Sequence, residues 1–247
     1  GGQNVAVGSE ALKANTTASG NVAVGRSALT ANTTGTDNVA VGSNAADANT
    51  TGVDNTAIGD NALGANVSGS WNTAIGSDAL LVNTGSENTA VGQGALDANT
   101  SGVKNVAMSN GALGANTTGD YNVGLGYRAL NVNTTADNNT AVGNDALRLN
   151  TTGASNTALG SLALDANTTG EENSAVGYGA LSANTTGGAN VAFGHDTLTA
   201  NTTAGSNTAL GREAMKANTT GATNVAVGFR ALYTNTTAAN NTAVGSS

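Results

Sequence analysis

The chain contains no cysteine, no proline and a single histidine, and only 10% of its 247 residues are charged. The absence of cysteine excludes a disulfide framework and thiolate metal sites. With His195 as the single histidine, we expect neither a histidine-dependent nucleophilic triad nor a paired-histidine zinc motif. The net charge of −8 disfavours binding to nucleic acid. No apolar run reaches the ~20 residues that a membrane-spanning helix needs.

A short motif, Asn-Val-Ala-Val-Gly at residues 4–8, recurs in related form fifteen times along the chain. Thirteen of the fourteen gaps between its leading asparagines are 17 residues long, and the gap from Asn72 to Asn88 is 16 residues long. We number the positions of each repeat as columns one to seventeen, starting at the leading asparagine. A fixed short period identifies a repeat architecture before the propensities of single residues are considered.

Each repeat is too short for a helix, a strand and two turns, but it can hold two short strands and two turns. Columns two to four alternate with the period of a strand, and the leucine of column nine and the alanine of column eleven share a face in the same way. Glycine in column five and near column fifteen favours turns. The sequence therefore predicts an all-β fold, a parallel β-solenoid of about fifteen 17-residue coils with two short strands per coil.

Stacked coils lie ~4.8 Å apart, so this fold predicts a rod on the order of 70 Å long. We expect residues 1–247 to form one continuous repeat domain. The chain opens and closes in the middle of a repeat, and we interpret it as a processed chain or as a segment of a longer one.

The alternation also predicts which side chains enter the core. If the apolar column four points into the coil together with column two, then column three points outward. Column three is alanine in fourteen repeats and Gly124 in the other, so the predicted outer surface is small and uncharged. Two interpretations follow: the alanine column packs against other copies of the chain, or it packs against a neighbouring sheet of the same chain.

The 24 charged residues, 8 basic and 16 acidic, occur only in columns six, seven, ten, sixteen and seventeen. We predict that these five columns are solvent-exposed corners, with Trp71 and Tyr121 as isolated surface aromatics. His195 and the adjacent Glu171 and Glu172 are interpreted as solvated corner residues. We therefore predict no catalytic, cofactor-binding or metal-binding residues, no cofactor and no enzyme activity.

The segment Asn-Thr-Thr, which begins at column twelve, has three interpretations. Stacked asparagines and threonines could form ladders of hydrogen bonds from coil to coil, and we favour this because a ladder requires one fixed residue in every repeat. A row of outward threonines, one per coil, could instead bind ice. Thirteen of the fourteen copies also fit the Asn-X-Ser/Thr acceptor sequence for N-glycosylation. These candidate acceptors are Asn15, Asn32, Asn49, Asn66, Asn99, Asn116, Asn133, Asn150, Asn167, Asn184, Asn201, Asn218 and Asn235.

The repeat Asn-Val/Thr-Ala-Val/Ile-Gly resembles the head repeats of trimeric autotransporter adhesins, whose core motif reads Asn-Ser-Val-Ala-Ile-Gly. Residues 56–59 and 174–177 are close local matches. The chain is also similar to the Asn-Thr-Ala-Val-Gly arrays of bacterial surface proteins and phage tail-fibre-like proteins. The resemblance covers the full length, and it implies a left-handed β-roll, homotrimers and exposure on a cell surface or virion.

These observations lead to the hypothesis of a non-enzymatic structural rod in an extracellular fibre, filament or surface adhesin. The variable corners would give avidity through many weak contacts. The expected partners are other copies, as a homotrimer or an end-to-end filament, and a surface glycan or host receptor, with no nucleic acid and no membrane insertion. The alternative function is a ligand-binding solenoid that recognises a host glycan or ice through its threonine and asparagine ladders.

Overall fold

The computed structural model describes residues 2–246. The chain divides into two compact units, an N-terminal unit, Gly1–Tyr121, and a C-terminal unit, Asn122–Ser247. Each unit is a stack of coils with one three-residue strand per repeat, and residues 2–246 contain no helix. The expectation of one continuous domain over residues 1–247 stays a prediction.

The strands are in-register and parallel. Those of the N-terminal unit are β1 (Val5–Val7), β2 (Val22–Val24), β3 (Val39–Val41), β4 (Thr56–Ile58), β5 (Thr73–Ile75), β6 (Thr89–Val91) and β7 (Val106–Met108). Those of the C-terminal unit are β8 (Val123–Leu125), β9 (Thr140–Val142), β10 (Thr157–Leu159), β11 (Ser174–Val176), β12 (Val191–Phe193), β13 (Thr208–Leu210), β14 (Val225–Val227) and β15 (Thr242–Val244). Within each unit every strand pairs with the next in chain order, column against column, as in Ala40 opposite Ala57. The predicted all-β parallel solenoid is confirmed, whereas its left-handedness stays a prediction.

Each described coil holds one strand, so the prediction of two short strands per coil is wrong. Columns seven to eleven run through turns because columns seven and nine adopt positive φ, as in Asn61 (54°) and Leu63 (56°). Backbone hydrogen bonds still join the coils here, since the Leu63 N–H donates to the Ala79 carbonyl at 2.9 Å. A left-handed leucine costs roughly 1–2 kcal/mol. Full burial of its side chain contributes about 1.5–3 kcal/mol, which offsets that strain.

The alanine column lies inside the coil, and the larger side chains of columns two and four lie outside. Twelve column-three alanines, between Ala23 and Ala226, are 0% exposed. No column-two or column-four side chain of residues 2–246 is buried. The prediction that columns two and four point inward is therefore wrong, and so is the prediction that the alanine column packs against other copies. The second interpretation, packing of outward alanines on a neighbouring sheet, is wrong as well, because the alanines face the interior of their own coil and the described residues contain no second sheet.

The size of the coil explains this inversion. The interior already holds the buried alanine of column eight and the leucine of column nine, which is 0% exposed in Leu29, Leu63 and eight later coils. Buried asparagines of columns one and twelve occupy further space. A loop of 17 residues therefore leaves room for a methyl group, and not for a valine or leucine side chain, on the inner face of the strand.

Glycine in column five allows the coils to stack closely. Gly59 has a φ of 137°, and a Cβ atom there would lie 2.5 Å from the carbonyl oxygen of Gly76 in the next coil. A residue larger than glycine at position 59 would have to displace the backbone of the next coil. The exception is Ser109, which keeps a φ of 109° in this column.

Candidate functional site

Two columns of asparagine form hydrogen-bonded ladders inside each unit. In column twelve, Nδ2 of Asn49 donates to Oδ1 of Asn32 at 3.0 Å and to the Gly52 carbonyl at 3.1 Å. In column one, the backbone N–H and Nδ2 of Asn55 donate to Oδ1 of Asn38 at 3.0 and 3.1 Å. All four asparagines are buried. Their amides therefore satisfy each other and the backbone, and the ladder interpretation of column twelve is correct.

The ladder determines how accessible the predicted glycosylation sites are. Eleven of the thirteen candidate asparagines, all except Asn15 and Asn235, are 0% exposed. Each of the eleven donates Nδ2 to a neighbouring coil, to a carbonyl of its own coil, or to both. A glycan on these atoms would require the coil to open. Asn15 and Asn235 are half-buried, and their Nδ2 atoms also donate, to the Ala18 carbonyl and to Oδ1 of Asn218 respectively. N-glycosylation stays a prediction at all thirteen positions.

The two threonine columns that follow have different roles. In column thirteen, the Thr33 hydroxyl donates to the Thr50 carbonyl of the next coil at 3.1 Å. In column fourteen, Thr34 and Thr51 are exposed. One hydroxyl residue therefore faces solvent in each coil that has column fourteen, and it is threonine except at Ser68 and Ser101. Ice binding by this row stays a prediction.

The outer surface of the strands carries no charge and is at least partly exposed. We define the sheet face as the side chains of columns two and four, which are the first and third residues of each strand. Met108 is 45% exposed, Leu159 47% and Phe193 56%. Column two contains only valine, threonine and serine, and column four only apolar residues. None of these thirty positions carries a charge, although none is buried in the described coils.

Reasoning from the sequence missed this surface, but a signal for it was present. Column four ranges in volume from valine to Met108 and Phe193. A core of fixed register and close packing does not accept such changes in volume. The column that hardly varies is the alanine column, and it is the one that faces the confined interior.

Of the five predicted corner columns, six and seventeen are mostly exposed, as predicted, whereas columns seven, ten and sixteen are mostly half-buried. Glu171 and Glu172 are exposed, and Trp71 is 59% exposed. The His195 side chain is 53% exposed, and its ring stacks on that of Tyr178 with the centroids 5.2 Å apart. The expectation of isolated aromatics is wrong for this pair, because in-register coils place the same column of adjacent coils side by side.

One corner of the C-terminal unit holds a network of charges. Nε of Arg230 donates to Oε2 of Glu213 at 2.6 Å. Nζ of Lys216 lies 3.0 Å from Oδ2 of Asp196 and 3.6 Å from Oε1 of Glu213. The hydrogen bond from Arg230 lowers the pKa of Glu213, and the bond to Asp196 raises the pKa of Lys216. Glu213, with a side chain 8% exposed, is an exception among the predicted solvent-exposed corners, and its neighbours balance its charge.

Within residues 2–246, no three His, Asp or Glu side chains gather into a group that could hold a metal ion. Over the same range, no helix has the length and apolar character needed to cross a membrane.

Comparisons with known proteins show no family for this chain. No protein-family model and no curated protein matches it. The resemblance to adhesin head repeats and tail-fibre arrays therefore stays a prediction that rests on the repeat motif.

Proposed function

We propose that the chain is a non-enzymatic structural element of an extracellular fibre, filament or surface adhesin. The observation that carries this proposal is the burial of both asparagine columns in hydrogen bonds between coils. The most uniform polar residues of the repeat hold one coil on the next, so they are not available to a substrate. Such a pattern is typical of a repeat selected for stacking.

The energetics favour the same role. A net hydrogen bond contributes about 0.5–1.5 kcal/mol, and a buried polar group left without a partner costs about 1–3 kcal/mol. In a ladder that continues from coil to coil, a buried polar group lacks a partner only where the ladder is interrupted. Each added coil therefore stabilises its neighbours. Variation is confined mainly to the corners and the sheet face, where side chains can change without disturbing the ladders.

The proposed partners are other copies of the chain, as a homotrimer or filament, and a glycan or receptor contacted at the corners. The proposed location is a cell surface or virion. Weak corner contacts that repeat along a stack would act together through avidity.

The test combines light scattering with negative-stain imaging of the purified chain. We expect particles heavier than one chain and regular assemblies, and an antibody against the chain should label intact source cells or virions. A strictly monomeric chain found only inside cells would contradict the proposal. A catalytic activity that is lost in Glu171→Gln, Glu172→Gln or His195→Gln would contradict its non-enzymatic part.

A further inference from the structure

From the geometry of the sheet face, we infer that it is the surface through which one copy of the chain docks side by side against a second copy. This inference rests on the proposed structural function and deepens it by naming the contact surface. The proposed contact surface consists of columns two and four, and not of the alanine column, which lies inside the coil.

The first support is the composition of the exposed surface. The five corner columns hold all 24 charged residues of the chain. The sheet face holds none, although Ile58 is 38% exposed, Leu159 47% and Phe193 56%. The exposed column-fourteen residues also carry no charge, but they are hydrophilic threonines and serines, whereas column four is apolar in every coil. Thirty positions without a charge indicate a surface that is covered when the protein functions.

The second support is the area. Neighbouring strands lie about 4.8 Å apart, and successive outward side chains lie about 7 Å apart along each strand. The seven strands of the N-terminal unit therefore present a face of roughly 35 Å by 12 Å. Pressing two such faces together covers roughly 840 Å² in total, about 420 Å² on each copy. That value lies just below the ~1,000 Å² expected of a specific protein–protein interface, so the face of one unit alone gives a weak contact. The eight strands of the C-terminal unit offer a similar face.

The third support identifies the occupant. Side chains of the sheet face repeat at the spacing of parallel strands, and stacked sheets pack by interdigitating such rows. A second copy carries the same repeat, so its rows fit between those of the first along the whole face. A globular partner without this repeat would match a few strands at most. Both copies carry a charge of −8, which opposes their approach, so a contact through this uncharged face should strengthen as salt screens the repulsion.

The test uses analytical ultracentrifugation of the full chain over a range of concentrations and salt. The variant Leu159→Glu/Leu210→Glu places charges on the sheet face of the C-terminal unit. The matched control, Ser155→Glu/Ser206→Glu, adds the same charge at exposed corners of that unit. Unfolding curves check that each variant is folded, and the milder pair Leu159→Thr/Leu210→Thr is used if the first fails to fold.

We expect the unchanged chain to associate more tightly with added salt. The sheet-face variant should weaken association at least tenfold, and the control should match the unchanged chain at equal ionic strength. Association that the sheet-face variant leaves intact would overturn this inference while sparing the proposed structural function. A chain that is monomeric at every concentration would overturn this inference, and if it is also found only inside cells it would overturn the proposed structural function as well. Monomers whose thermal hysteresis is lost in the sheet-face variant would assign the face to ice instead.

Discussion

Asn99 donates from Nδ2 to Oδ1 of Asn83 at 2.6 Å, but Asn83 makes no such bond to Asn66. The shortened repeat between Asn72 and Asn88 lacks column fourteen. In its tighter loop, Nδ2 of Asn83 donates to the Gly85 carbonyl at 2.8 Å. Oδ1 of Asn66 is consequently buried without a hydrogen-bond partner among the described residues. One deleted residue interrupts the ladder at a single rung.

This interruption predicts unequal effects of removing neighbouring asparagines. Asn49 donates through Nδ2, and its Oδ1 accepts from Nδ2 of Asn66 at 3.0 Å. Oδ1 of Asn66 accepts no hydrogen bond from the described residues. Asn49→Ala should therefore lower the free energy of unfolding by about 1 kcal/mol more than Asn66→Ala. Denaturant titration of the two variants measures the difference. Equal losses would show that the Asn66 oxygen is bonded after all.

A second prediction concerns the one residue other than glycine in column five. Ser109 has a φ of 109°, where glycine is free of the strain that a side chain introduces. Ser109→Gly should raise the free energy of unfolding by about 1 kcal/mol, within the 1–3 kcal/mol that such strain costs. The control is Ser161→Gly, at a half-buried position of corner column six, which should be neutral or destabilising. A stabilisation that is the same at both positions would contradict the assigned strain.

A third prediction tests which face of the strand is inside. Ala158 is 0% exposed, while Thr157 beside it is exposed. Ala158→Leu adds three carbon atoms to a filled interior and should destabilise by about 1–3 kcal/mol or more. Thr157→Leu should change stability by less than about 0.5 kcal/mol. Thermal unfolding measures the stability of the two variants. If Thr157→Leu is the more destabilising change, the orientation expected from the sequence is correct.

The solenoid was predictable because a 17-residue period allows few other folds, but the orientation of its strands was not. The alternation in Val39-Ala40-Val41 indicates that the two valines share one face of the strand, but it does not indicate which face is buried. A column of charged residues on one face of the strand would have identified the solvent-exposed face, but neither face has such a column. The interior volume, set by Leu63 and its equivalents, decides the question, and it is known only once the coil closes.

The second strand was wrongly predicted for a related reason. Leucine and alanine in columns nine and eleven have the spacing of a strand, and Leu63 is indeed buried. Its positive φ of 56° makes the segment a turn. Leucine seldom adopts this conformation, so composition gave no sign of it. The asparagine ladders were recognisable because stacked amides that bond from coil to coil require the same polar residue in every repeat.

A fourth prediction uses pH. Burial raises the pKa of Asp97 above its ordinary value of 3.8, and the carboxylate of Asp78 adds to the effect. The folded state favours the protonated form of Asp97. The contribution of Asp97 to the free energy of unfolding therefore falls as pH rises from 3.8 through the raised pKa. Asp97→Asn should therefore be more stable than the unchanged chain at pH 7, with the gap closing below pH 3.8. Unfolding at both pH values measures this, with the exposed Asp54→Asn as control. A gap that persists at low pH would rule out ionisation as its cause.

The most direct measurement of the coil itself is thiol cross-linking, because the chain has no cysteine of its own. Thr140 and Thr157 are partners in adjacent strands, so cysteines there should lie about 5 Å apart. Cysteines at Thr140 and Thr151 are closer in sequence, but Thr140 lies in strand β9 and Thr151 lies outside any strand. Dibromobimane, a short fluorogenic cross-linker, should bridge the 140/157 pair within single chains and leave the 140/151 pair largely unbridged. Preferential bridging of the 140/151 pair, as loop closure in a flexible chain favours, would contradict the stacked 17-residue coil.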